Sequence, residues 1–457
     1  MFGKLRRVHF VGIGGVGMSG IALLLHNQGL EVSGSDVKES DATRNLAENG
    51  IQVSIGHKAD NCLGADVLVY SSAVSRDNPE ILCARMQNIP VIPRAEMLAE
   101  LMRLKFSVGV SGTHGKTTVT SLIAAVLEQA GLDPTTVIGG RIMGTEAGAR
   151  LGRSEYLVAE ADESDRSFLM LYPAIAVMTN IEREHLDVYR NLSEIKRAFL
   201  EFANRVPFYG TVIAGTDSQA VRQIFPKLLR KKVSYGFRRD AELRASKVRF
   251  EPFRSSFLFS LHGKEVGEFK LNLGGSHNVQ NALATLGVAI ELGIDLDVCS
   301  RTFASFSGVH RRLELRGERS GVTVMDDYGH HPTEISVTLK ALRQAFPERR
   351  IIVVFQPHRY TRTKLLAGEF GDSFEDANTV LLLPIYAASE PAIPGVTSAL
   401  IADEIRRRMG PGFPVQQVES AGAALAWLKQ NVKAQDVVIT QGAGNIWEIG
   451  RDLLAQL

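Results

Sequence analysis

The sequence predicts an α/β protein built from three domains. At 457 residues the chain is too long for one ordinary hydrophobic core, and its length favours about three domains. Short apolar runs alternate with helical stretches along most of the chain, which is the pattern of parallel sheets covered by helices. The alternation restarts twice, so we place the domains at residues 1–105, 106–310 and 311–457.

The composition is that of a soluble globular protein, with 45% hydrophobic and 22% charged residues. The formal net charge of +2 argues against a protein that coats nucleic acid, so no nucleic-acid partner is expected. No apolar run approaches the length of a membrane span, and the opening MFGKLRRVHFVGIGG lacks the long apolar region of a signal peptide. We therefore expect a cytoplasmic protein without membrane insertion, in which the cysteines are reduced.

The first segment predicts a Rossmann-like domain. The strand VHFVG leads into a glycine loop and then into a helical stretch that includes MSGIALLLHNQG. Gly12, Gly14 and Gly17 form G-x-G-x-x-G, and Asp36 closes the second strand. Such a loop accepts a diphosphate at a helix N-terminus, and the acid can contact a ribose. NAD and a nucleotide-sugar diphosphate both fit this pattern, and a purely structural glycine turn stays open as the alternative.

The second segment opens with SVGVSGTHGKTTVTS at residues 107–121, the most informative stretch of the chain. It has the pattern of strand, glycine loop and helix, which points backbone N–H groups at phosphate oxygens. Lys116 can reach the β- and γ-phosphates, and the Thr117 hydroxyl can bind Mg2+. The match is imperfect, because Val110 stands where the usual pattern has its first glycine. We predict a P-loop ATPase-type α/β domain; an ordinary glycine turn with a surface lysine is the alternative.

Charged residues directly follow two further apolar strands, YLVAE and AIAVM, where ligands of parallel α/β sheets bind. Glu160 ends the first strand and is a candidate Mg2+ ligand together with Thr117. The acids Asp162, Glu163 and Asp165 are weaker candidates, because a charge run is usually a solvated loop. His185, after the second strand, could bind a second metal ion or contact the transferred phosphate, although a lone histidine is more often structural.

The end of the central segment carries three more features. Residues 244–273 are β-rich, with a hairpin expected around HGK, and form either an insertion or a small added antiparallel sheet. Asn278 and Asn281 share a helical face and could contact adenine or ribose, while a helix-cap role for Asn278 is equally open. One arginine of GVHRRLE could stabilise phosphoryl charge, and an exposed arginine pair is the alternative.

From about residue 311 the alternation predicts a Rossmann-like C-terminal domain. DDYGHHPTE and QPHRYTRT both follow apolar strands. Together they supply Asp326, Asp327, Tyr328, His330, His331, His358, Arg359 and Arg362. Two arginines three positions apart can fork onto a carboxylate, as a small amino acid would require. A surface cluster that binds nothing is the alternative.

Six motifs together resemble the Mur ligase family: SGTHGKTT, EADESD, TNI…EHLD, HNVQNA, GVHRRLE and DDYGHHPTE. The opening GIGGVGMSGIALLLHNQG, with QPHRYTRT and QGAGNI, is most similar to the member that acts on UDP-N-acetylmuramate and L-alanine. The resemblance implies three domains that bind the UDP substrate, ATP and the amino acid in that order. It implies an ATP- and Mg2+-dependent ligation of L-alanine to the lactyl carboxylate through an acyl phosphate. That reaction is a cytoplasmic step of peptidoglycan synthesis, performed by a monomer or homodimer.

The resemblance also assigns roles to individual residues. The predicted catalytic residues are Lys116, His185, Arg312 and Asp327. The predicted ATP contacts are Gly112, Thr113, His114, Gly115, Lys116, Thr117, Thr118, Asn278 and Asn281. The predicted UDP-substrate contacts are Gly12, Gly14, Gly15, Gly17, Asp36 and Ser71. The predicted L-alanine pocket is Tyr328, His330, His358, Arg359 and Arg362, and the predicted metal ligands are Thr117, Glu160 and His185.

Some assignments and alternatives stay open at this point. Arg311 and Arg312 compete for the same role, and Leu313 stands where the family more often has phenylalanine. A carbamylated lysine of other family members is not assigned here. The nearest rival function is the recycling ligase that attaches a preformed tripeptide to UDP-N-acetylmuramate. An NAD-dependent dehydrogenase, which would leave Lys116 without a role, and a non-catalytic nucleotide-binding regulator are the alternatives from other classes.

Overall fold

The computed structural model describes residues 5–71, 73–138, 149–185, 188–388 and 390–457. The described strands form sheets of five, ten and six strands. Packing divides the chain into two compact units: residues 1–247, 257–270 and 279–307 form one, and residues 248–256, 271–278 and 308–457 form the other. The domain boundaries near residues 105 and 310 stay a prediction. Leu186 and Asp187, at the end of the predicted EHLD motif, lie outside the described residues.

The first sheet is entirely parallel, in the order β3-β2-β1-β4-β5. Its strands are β1 (Arg7–Val11), β2 (Glu31–Asp36), β3 (Gln52–Ile55), β4 (Val67–Tyr70) and β5 (Val91–Pro93). Its helices are α1 (Val16–Asn27), α2 (Asp41–Glu48), α3 (Pro79–Met86) and α4 (Arg94–Arg103), with a 3-10 turn at Ala59–Cys62. Because β1 lies between β2 and β4, the loops after these three strands meet at one edge, where doubly wound sheets bind ligands.

Local sequence explains where two of these helices begin. Asn78 caps α3 by accepting the N–H of Glu80, and proline follows at the first helical position, where its missing N–H costs nothing. Ser40 and Thr43 form a reciprocal capping box at the start of α2. Both caps fix the point at which the chain leaves the loop edge of the sheet.

The second sheet has the order β15-β14-β13-β12-β11-β10-β6-β9-β7-β8. Its strands are β6 (Phe106–Ser111), β7 (Thr135–Val137), β8 (Ala149–Arg150), β9 (Tyr156–Glu160), β10 (Ile175–Met178), β11 (Thr211–Gly215), β12 (Lys231–Gly236), β13 (Leu243–Glu251), β14 (Arg254–Leu261) and β15 (Lys264–Leu271). Its helices are α5 (Lys116–Gln129), α6 (Leu192–Asn204), α7 (Gln219–Ile224), α8 (Ser276–Glu291) and α9 (Leu296–Ser305), with 3-10 turns at Ser167–Met170 and Phe225–Lys227. The β-rich segment after residue 243 therefore extends the central sheet beyond β12.

The predicted hairpin turn is present between β14 and β15. His262 and Gly263 both have positive φ, at 48° and 77°, which is the backbone conformation of tight two-residue hairpin turns.

The third sheet has the order β16-β17-β21-β18-β19-β20, and only β16 pairs antiparallel with its neighbour. Its strands are β16 (Glu314–Arg319), β17 (Val322–Asp327), β18 (Ile351–Phe355), β19 (Thr379–Leu382), β20 (Val415–Gln417) and β21 (Val437–Gln441). Its helices are α10 (Pro332–Ala345), α11 (Tyr360–Leu365), α12 (Ala367–Asp372), α13 (Ala399–Met409), α14 (Ala421–Asn431) and α15 (Trp447–Gln456). Separate apolar clusters cover the two faces of this sheet. The loops after β17, β21 and β18 share one edge, because these strands are neighbours.

In the described part of the chain, every helix is too short or too polar to cross a bilayer.

Candidate active site

The first glycine loop is held by backbone and carboxylate contacts at the end of β1. Gly12 has a φ of 79° and donates its N–H to the Ser35 carbonyl at 2.8 Å. The Asp36 carboxylate accepts the N–H of Gly14 at 2.8 Å. Gly15 is the N-cap of α1, which has no side-chain cap, so the helix start offers N–H groups to an anion. Asp36 therefore fixes the loop conformation, in addition to the ribose contact predicted for it.

Two further predicted contacts flank this loop. Ser71 follows β4, and a Cβ on Gly12 would lie 3.2 Å from the Ser71 Cβ. A Cβ on Gly17 would lie 2.7 Å from Nη1 of Arg94, so glycine at this position leaves room for a guanidinium beside the first turn of α1. Arg94 was not predicted from the sequence, and its positive charge suits a site for phosphate oxygens.

A buried polar network that was not predicted from the sequence lies beneath the first glycine loop. The Glu80 carboxylate lies 2.9 Å from Nε2 of His9 and accepts hydrogen bonds from Ser35 and Asn61, both at 2.7 Å. Burial by itself raises the pKa of Glu80, but these hydrogen bonds, first among them that with His9, lower the pKa to about 2. The network fixes Ser35, whose carbonyl in turn accepts the Gly12 N–H.

The second glycine loop is anchored by two residues after β10 that had no assigned role. A Cβ on Gly112, which has a φ of 142°, would lie 1.8 Å from Oγ1 of Thr179. The Thr179 hydroxyl donates to the His114 carbonyl at 2.6 Å. The Asn180 side chain accepts the His114 N–H at 2.9 Å, and its carbonyl accepts the Thr113 N–H at 3.1 Å. Two of the loop N–H groups are thus used to fix the loop itself.

The start of α5 provides the donors that the phosphate-site prediction needs. Its N-cap is Gly115, with a φ of 84° and no side-chain cap, so the N–H groups of the first turn have no partner within the helix. This first turn consists of Lys116, Thr117 and Thr118. A Cβ on Gly115 would lie 2.8 Å from Oδ1 of Asn281, which places that predicted ATP contact directly against the loop.

Lys116 forms an ion pair with Glu163, one of the three acids that were only weaker candidates from the sequence. Its ammonium donates to both oxygens of Glu163, at 3.0 and 2.8 Å, and to the Gly112 carbonyl at 2.6 Å. The Glu163 side chain is only 2% exposed. Burial by itself lowers the pKa of Lys116, but the negative charges of Glu163 and Asp162 outweigh burial and raise it. Lys116 is therefore a charged group held in place.

The predicted cation ligands lie at the same edge of the central sheet. Glu160 is the last residue of β9 and pairs in register with Val110 of β6, the strand that leads into the glycine loop. Burial by itself raises the pKa of Asp162, but Lys116 lowers it below its ordinary value, so Asp162 is ionised. The carboxylate of Glu160 and the hydroxyl of Thr117 are the hard oxygen donors that Mg2+ prefers, so the residues fit the cation.

His185 faces the same carboxylate as Lys116. Its Nε2 lies 3.6 Å from Oε1 of Glu163, and its backbone has a φ of 52°. Its carbonyl accepts the N–H of Tyr189, whose buried hydroxyl donates to the Glu163 carbonyl at 2.7 Å. Arg166 stacks over the Tyr189 ring at 4.9 Å. Tyr189 thus ties the turn of His185 to the backbone of Glu163.

The two asparagines of HNVQNA make different contacts. Asn281 lies against Gly115, as described above. Asn278 donates its side-chain amide to the Gly274 carbonyl at 2.8 Å, a contact that fixes the start of α8. This contact is in line with the local structural role that the sequence left open for Asn278.

In the third sheet, Arg311 holds two loops together. Its Nε donates to the buried carboxylate of Asp326 at 2.8 Å. Its other nitrogens donate to the carbonyls of Gly444 and Gly442, at 2.8 and 2.7 Å. The guanidinium therefore ties the end of β17 to the QGAGN loop after β21.

Arg312 is placed differently from its neighbour. Its side chain is 31% exposed, against 12% for Arg311, and lies 3.5 Å from Glu334. Both guanidinium groups lie over the Tyr328 ring, at 5.4 Å for Arg312 and 5.2 Å for Arg311. The contact with Glu334 is long for a charged hydrogen bond. The geometry thus favours Arg312 over Arg311 as the arginine that can reach a substrate.

Asp327 positions the backbone on both sides of the predicted pocket. It accepts the N–H of Leu313 at 2.8 Å and that of Gly329 at 2.7 Å. Burial raises the pKa of Asp327 to about 6, and the positive charge of Arg312 offsets part of this rise. These contacts fix the loops that carry Arg312 and Tyr328.

The predicted L-alanine residues form a row of rings, which one residue outside the prediction completes. The ring centroids of Tyr328 and His330 are 5.6 Å apart, and those of His330 and His358 are 5.3 Å apart. Tyr386 continues the row by stacking on His358 at 5.7 Å and 10°. Tyr386 was not predicted from the sequence; it is the last residue of the apolar run TVLLLPIY, just after β19.

The two predicted carboxylate-binding arginines flank this row at the start of α11. Arg359 has a φ of 70° and donates its N–H to the Tyr386 carbonyl at 2.8 Å. Nη1 of Arg362 lies 3.0 Å from Nδ1 of His358 and donates to the His358 carbonyl at 3.2 Å. His358 thus orients one arginine while it stacks on Tyr386.

Comparison with known protein families matches nearly the whole chain. Three family models match in order: "Mur ligase family, catalytic domain" at residues 7–106, "Mur ligase middle domain" at 110–289, and "Mur ligase, glutamate ligase domain" at 311–444. The chain belongs to the Mur ligase family. The resemblance drawn from the sequence motifs is thereby confirmed.

Individual Mur ligases extend this comparison. The UDP-N-acetylmuramate–L-alanine ligase of Trichlorobacter lovleyi is 49% identical and aligns over 100% of both chains. The crystal structure of the UDP-N-acetylmuramate–alanine ligase of Thermotoga maritima has a TM-score of 0.83 at 29% identity and covers 98% of both chains. A murein peptide ligase of Psychrobacter arcticus has a TM-score of 0.71 at 23% identity, again over 98% of both chains. The three-domain α/β Mur ligase fold predicted from the sequence is confirmed.

Proposed function

We infer that this Mur ligase joins L-alanine to the lactyl carboxylate of UDP-N-acetylmuramate at the expense of ATP, giving UDP-N-acetylmuramoyl-L-alanine, ADP and phosphate. The observation that carries this function is the end-to-end identity of 49% with an L-alanine ligase. The solved ligases that use a preformed peptide are less similar, at 23% identity over 98% of the chain and 30% over 67% of it, and give the recycling function no comparable support. The dehydrogenase alternative leaves the Lys116 site without a use.

The central sheet supplies the phosphoryl-transfer machinery. An oxygen of the lactyl carboxylate attacks the γ-phosphorus of ATP, the bond to the β-phosphate oxygen breaks, and ADP leaves. Lys116 and the first-turn N–H groups of α5 would hold the phosphates. Thr117 and Glu160 would hold Mg2+, with His185 as the candidate ligand of a second ion; a bound cation neutralises phosphate charge. The protein mainly positions groups and balances charge.

Residues of the third sheet would bind the amino acid. Arg359 and Arg362 would bind the carboxylate of L-alanine, and the row of rings from Tyr328 to Tyr386 would bound the space for its methyl group. The neutral amine nitrogen then attacks the acyl carbonyl, phosphate leaves with the bonding electron pair, and the nitrogen releases one proton. Arg312 would stabilise the charge on the phosphoryl group.

The first sheet would bind the UDP portion of the substrate through the glycine loop, Asp36 and Ser71. The small-molecule substrates are the only partners that the proposed reaction requires. We place the reaction in the cytoplasm, where it serves peptidoglycan synthesis, cell shape and cell division, and we expect a monomer or homodimer.

The test is phosphate release from ATP and Mg2+ in the presence of UDP-N-acetylmuramate. Three reactions are compared: with L-alanine, with the tripeptide L-Ala-D-Glu-meso-diaminopimelate, and without an amine. We expect release that depends on L-alanine, together with a product whose mass equals the substrate plus L-alanine minus water. Release with the tripeptide alone would assign the recycling function, and no release with either amine would refute the ligase assignment.

A further inference from the structure

The ion pair between Lys116 and Glu163 blocks the task assigned to Lys116. An ammonium has three N–H donors, and four acceptors surround it here: the carbonyls of Gly112 at 2.6 Å and Thr113 at 3.3 Å, and the two Glu163 oxygens at 3.0 and 2.8 Å. A γ-phosphate oxygen must therefore displace one of these acceptors, and Glu163, which contacts the ammonium through both of its oxygens, is the charged one. Nucleotide binding at this loop requires the Lys116–Glu163 pair to break.

The surroundings of Glu163 restrict how the pair can break. Its side chain is 2% exposed, so the carboxylate cannot simply turn into solvent, and an unpaired buried charge is costly. Its backbone carbonyl is held by the Tyr189 hydroxyl at 2.7 Å, which leaves rotation of the side chain as the available movement. A second basic group must therefore receive the carboxylate within the reach of that rotation.

His185 is such a group. Its Nε2 lies 3.6 Å from Oε1 of Glu163, beyond hydrogen-bond distance but within one small side-chain movement. The turn of His185 is tied to Tyr189 by a backbone hydrogen bond at 2.9 Å, and Tyr189 also holds Glu163. Donor and acceptor of the new contact are thus fixed to one another before any ligand arrives.

We propose that Glu163 is a positioning residue that neutralises Lys116 before nucleotide binds and passes its hydrogen bond to His185 when a γ-phosphate takes its place. This inference rests on the proposed function, because it presumes a nucleoside triphosphate at the Lys116 loop. The exchange makes Glu163 a competitor of the γ-phosphate for Lys116. It also aligns His185 only after the phosphate has arrived.

The competition gives an unusual prediction for nucleotide affinity. Removing the charge of Glu163 in the Glu163→Gln variant should tighten binding of ATP, measured by calorimetry without Mg2+, by at least about tenfold, because a charged hydrogen bond is no longer lost on binding. Binding of ADP, which has no γ-phosphate, should change much less. An acid that only supported the fold would give the opposite result, with both nucleotides bound more weakly.

The matched control is Asp165→Asn, two positions further along the same loop. Asp165 is exposed and accepts the Ser167 N–H at 2.9 Å, a contact that asparagine can keep. Both variants remove one negative charge near the site, but only the change at position 163 releases Lys116. ATP affinity in Asp165→Asn should therefore stay within about twofold of the wild type, as a screened surface charge predicts.

Stability supplies a second readout in case Glu163→Gln folds poorly. The melting temperature without nucleotide should fall, because a buried ammonium has lost its partner, and the ATP-induced rise in melting temperature should exceed that of the wild type. Glu163→Asp, which keeps the charge but withdraws it from Lys116, should bind ATP with intermediate affinity. If Asp165→Asn and Glu163→Gln raise ATP affinity equally, a general charge effect replaces the proposed exchange.

The handover itself is tested by a double-mutant cycle between Glu163→Gln and His185→Gln, read from melting temperatures with and without ATP. We expect coupling between the two positions only when ATP is bound. Coupling of equal size in both states would overturn the exchange. Weaker ATP binding by Glu163→Gln, with an affinity that no longer depends on Mg2+, would also overturn it. If the wild type bound no ATP at all, the proposed function would fail first, which separates the two failures.

Discussion

Arg311 and Asp326 form a buried ion pair, with Nε 2.8 Å from Oδ2 and side-chain exposures of 12% and 0%. The neighbouring Arg312 is more exposed, at 31% of its side chain, and Nη1 lies 3.5 Å from the Glu334 carboxylate. The two adjacent arginines of one motif therefore have different roles. Arg311 holds two loops together, and Arg312 is exposed enough to contact a ligand.

Substitution of the two arginines should give opposite phenotypes. Arg311→Ala should lower the free energy of unfolding by about 3–5 kcal/mol, because the Asp326 carboxylate stays buried without its cation. Arg312→Ala should change the free energy of unfolding by less than about 1 kcal/mol while lowering kcat by about a thousandfold, as for other arginines that stabilise phosphoryl charge. Denaturant unfolding and steady-state kinetics on both variants test this; equal effects at both positions would contradict it.

Loss of Lys116 should affect both catalysis and stability. Lys116→Ala should lower kcat by at least about a hundredfold, since a fixed positive charge is removed from the phosphate site. It should also destabilise the fold, because Glu163 is left buried without a partner. The double variant Lys116→Ala/Glu163→Gln should regain stability but not activity. Recovery of activity in the double variant would remove Lys116 from the phosphate-transfer site.

Stability should depend on the ionisation of Asp327. Burial raises the pKa of this group in the folded protein to about 6 from an ordinary 3.8, so the folded state holds the proton more tightly than the unfolded state. The contribution of Asp327 to the free energy of unfolding therefore increases as pH falls from about 6 towards 4. Above about pH 6 the buried carboxyl is ionised and destabilises the folded state. Relative to the wild type, Asp327→Asn should therefore gain unfolding free energy between pH 4 and 7, as measured by urea denaturation at several pH values.

The contribution of Asp327 is isolated by the difference between the two proteins, because all other titrating groups are common to both. Asp327 also accepts hydrogen bonds from the backbone N–H groups of Leu313 and Gly329. Any change in these bonds shifts the difference in unfolding free energy by the same amount at every pH. A flat difference across this range would show that Asp327 keeps its ordinary pKa.

The space at Gly115 should be needed for nucleotide binding. Gly115→Ala adds a Cβ 2.8 Å from Oδ1 of Asn281 at a φ of 84°, whereas Gly131 has a φ of 77° and nothing within 4 Å of an added Cβ. Both substitutions carry the left-handed backbone cost of about 1–2 kcal/mol. Only Gly115→Ala should raise the Kd for ATP, by about tenfold or more. Equal nucleotide affinity in the two variants would show that the Asn281 side chain can move away from the added Cβ without weakening ATP binding.

The carboxylate clamp for L-alanine is tested at α11. Arg362→Ala should raise the KM for L-alanine by at least about tenfold, because a charged hydrogen bond to the substrate carboxylate is lost, with little change in the KM for ATP. Lys364→Ala removes an exposed positive charge from the same helix and is the matched control. An unchanged KM for L-alanine in Arg362→Ala would exclude the clamp.

Tyr386 should limit the size of the amino acid. Its ring stacks on His358 and lies 3.1 Å from the position of a Cβ on Gly444, so it closes one end of the row of rings. Tyr386→Ala should improve kcat/KM for a larger amino acid such as L-serine relative to L-alanine, and Tyr386→Phe should leave the ratio unchanged. A ratio that stays constant in both variants would place the pocket elsewhere.

The sequence by itself determined the features that depend on neighbouring residues. The pattern of apolar strand, glycine loop and helix predicted the start of α5 and the loop before it, because a left-handed backbone at Gly115 and uncapped N–H groups follow from local composition. Motif order along the chain likewise predicted the family and the three-domain fold. The site residues assigned from those motifs stay a prediction that the variants above test.

The tertiary structure decided which distant side chains meet. Glu163 looked like one acid of a solvated run, and only folding buried it between Lys116 and His185. Thr179, Tyr189, Tyr386 and the network around Glu80 have no local signature, because their partners are far along the chain. The choice between Arg311 and Arg312 also needed the sheet, since burial of Asp326 and the position of the QGAGN loop are set by strand order. Periodicity assigns a residue to a strand or helix, but only packing determines which charge lies opposite it.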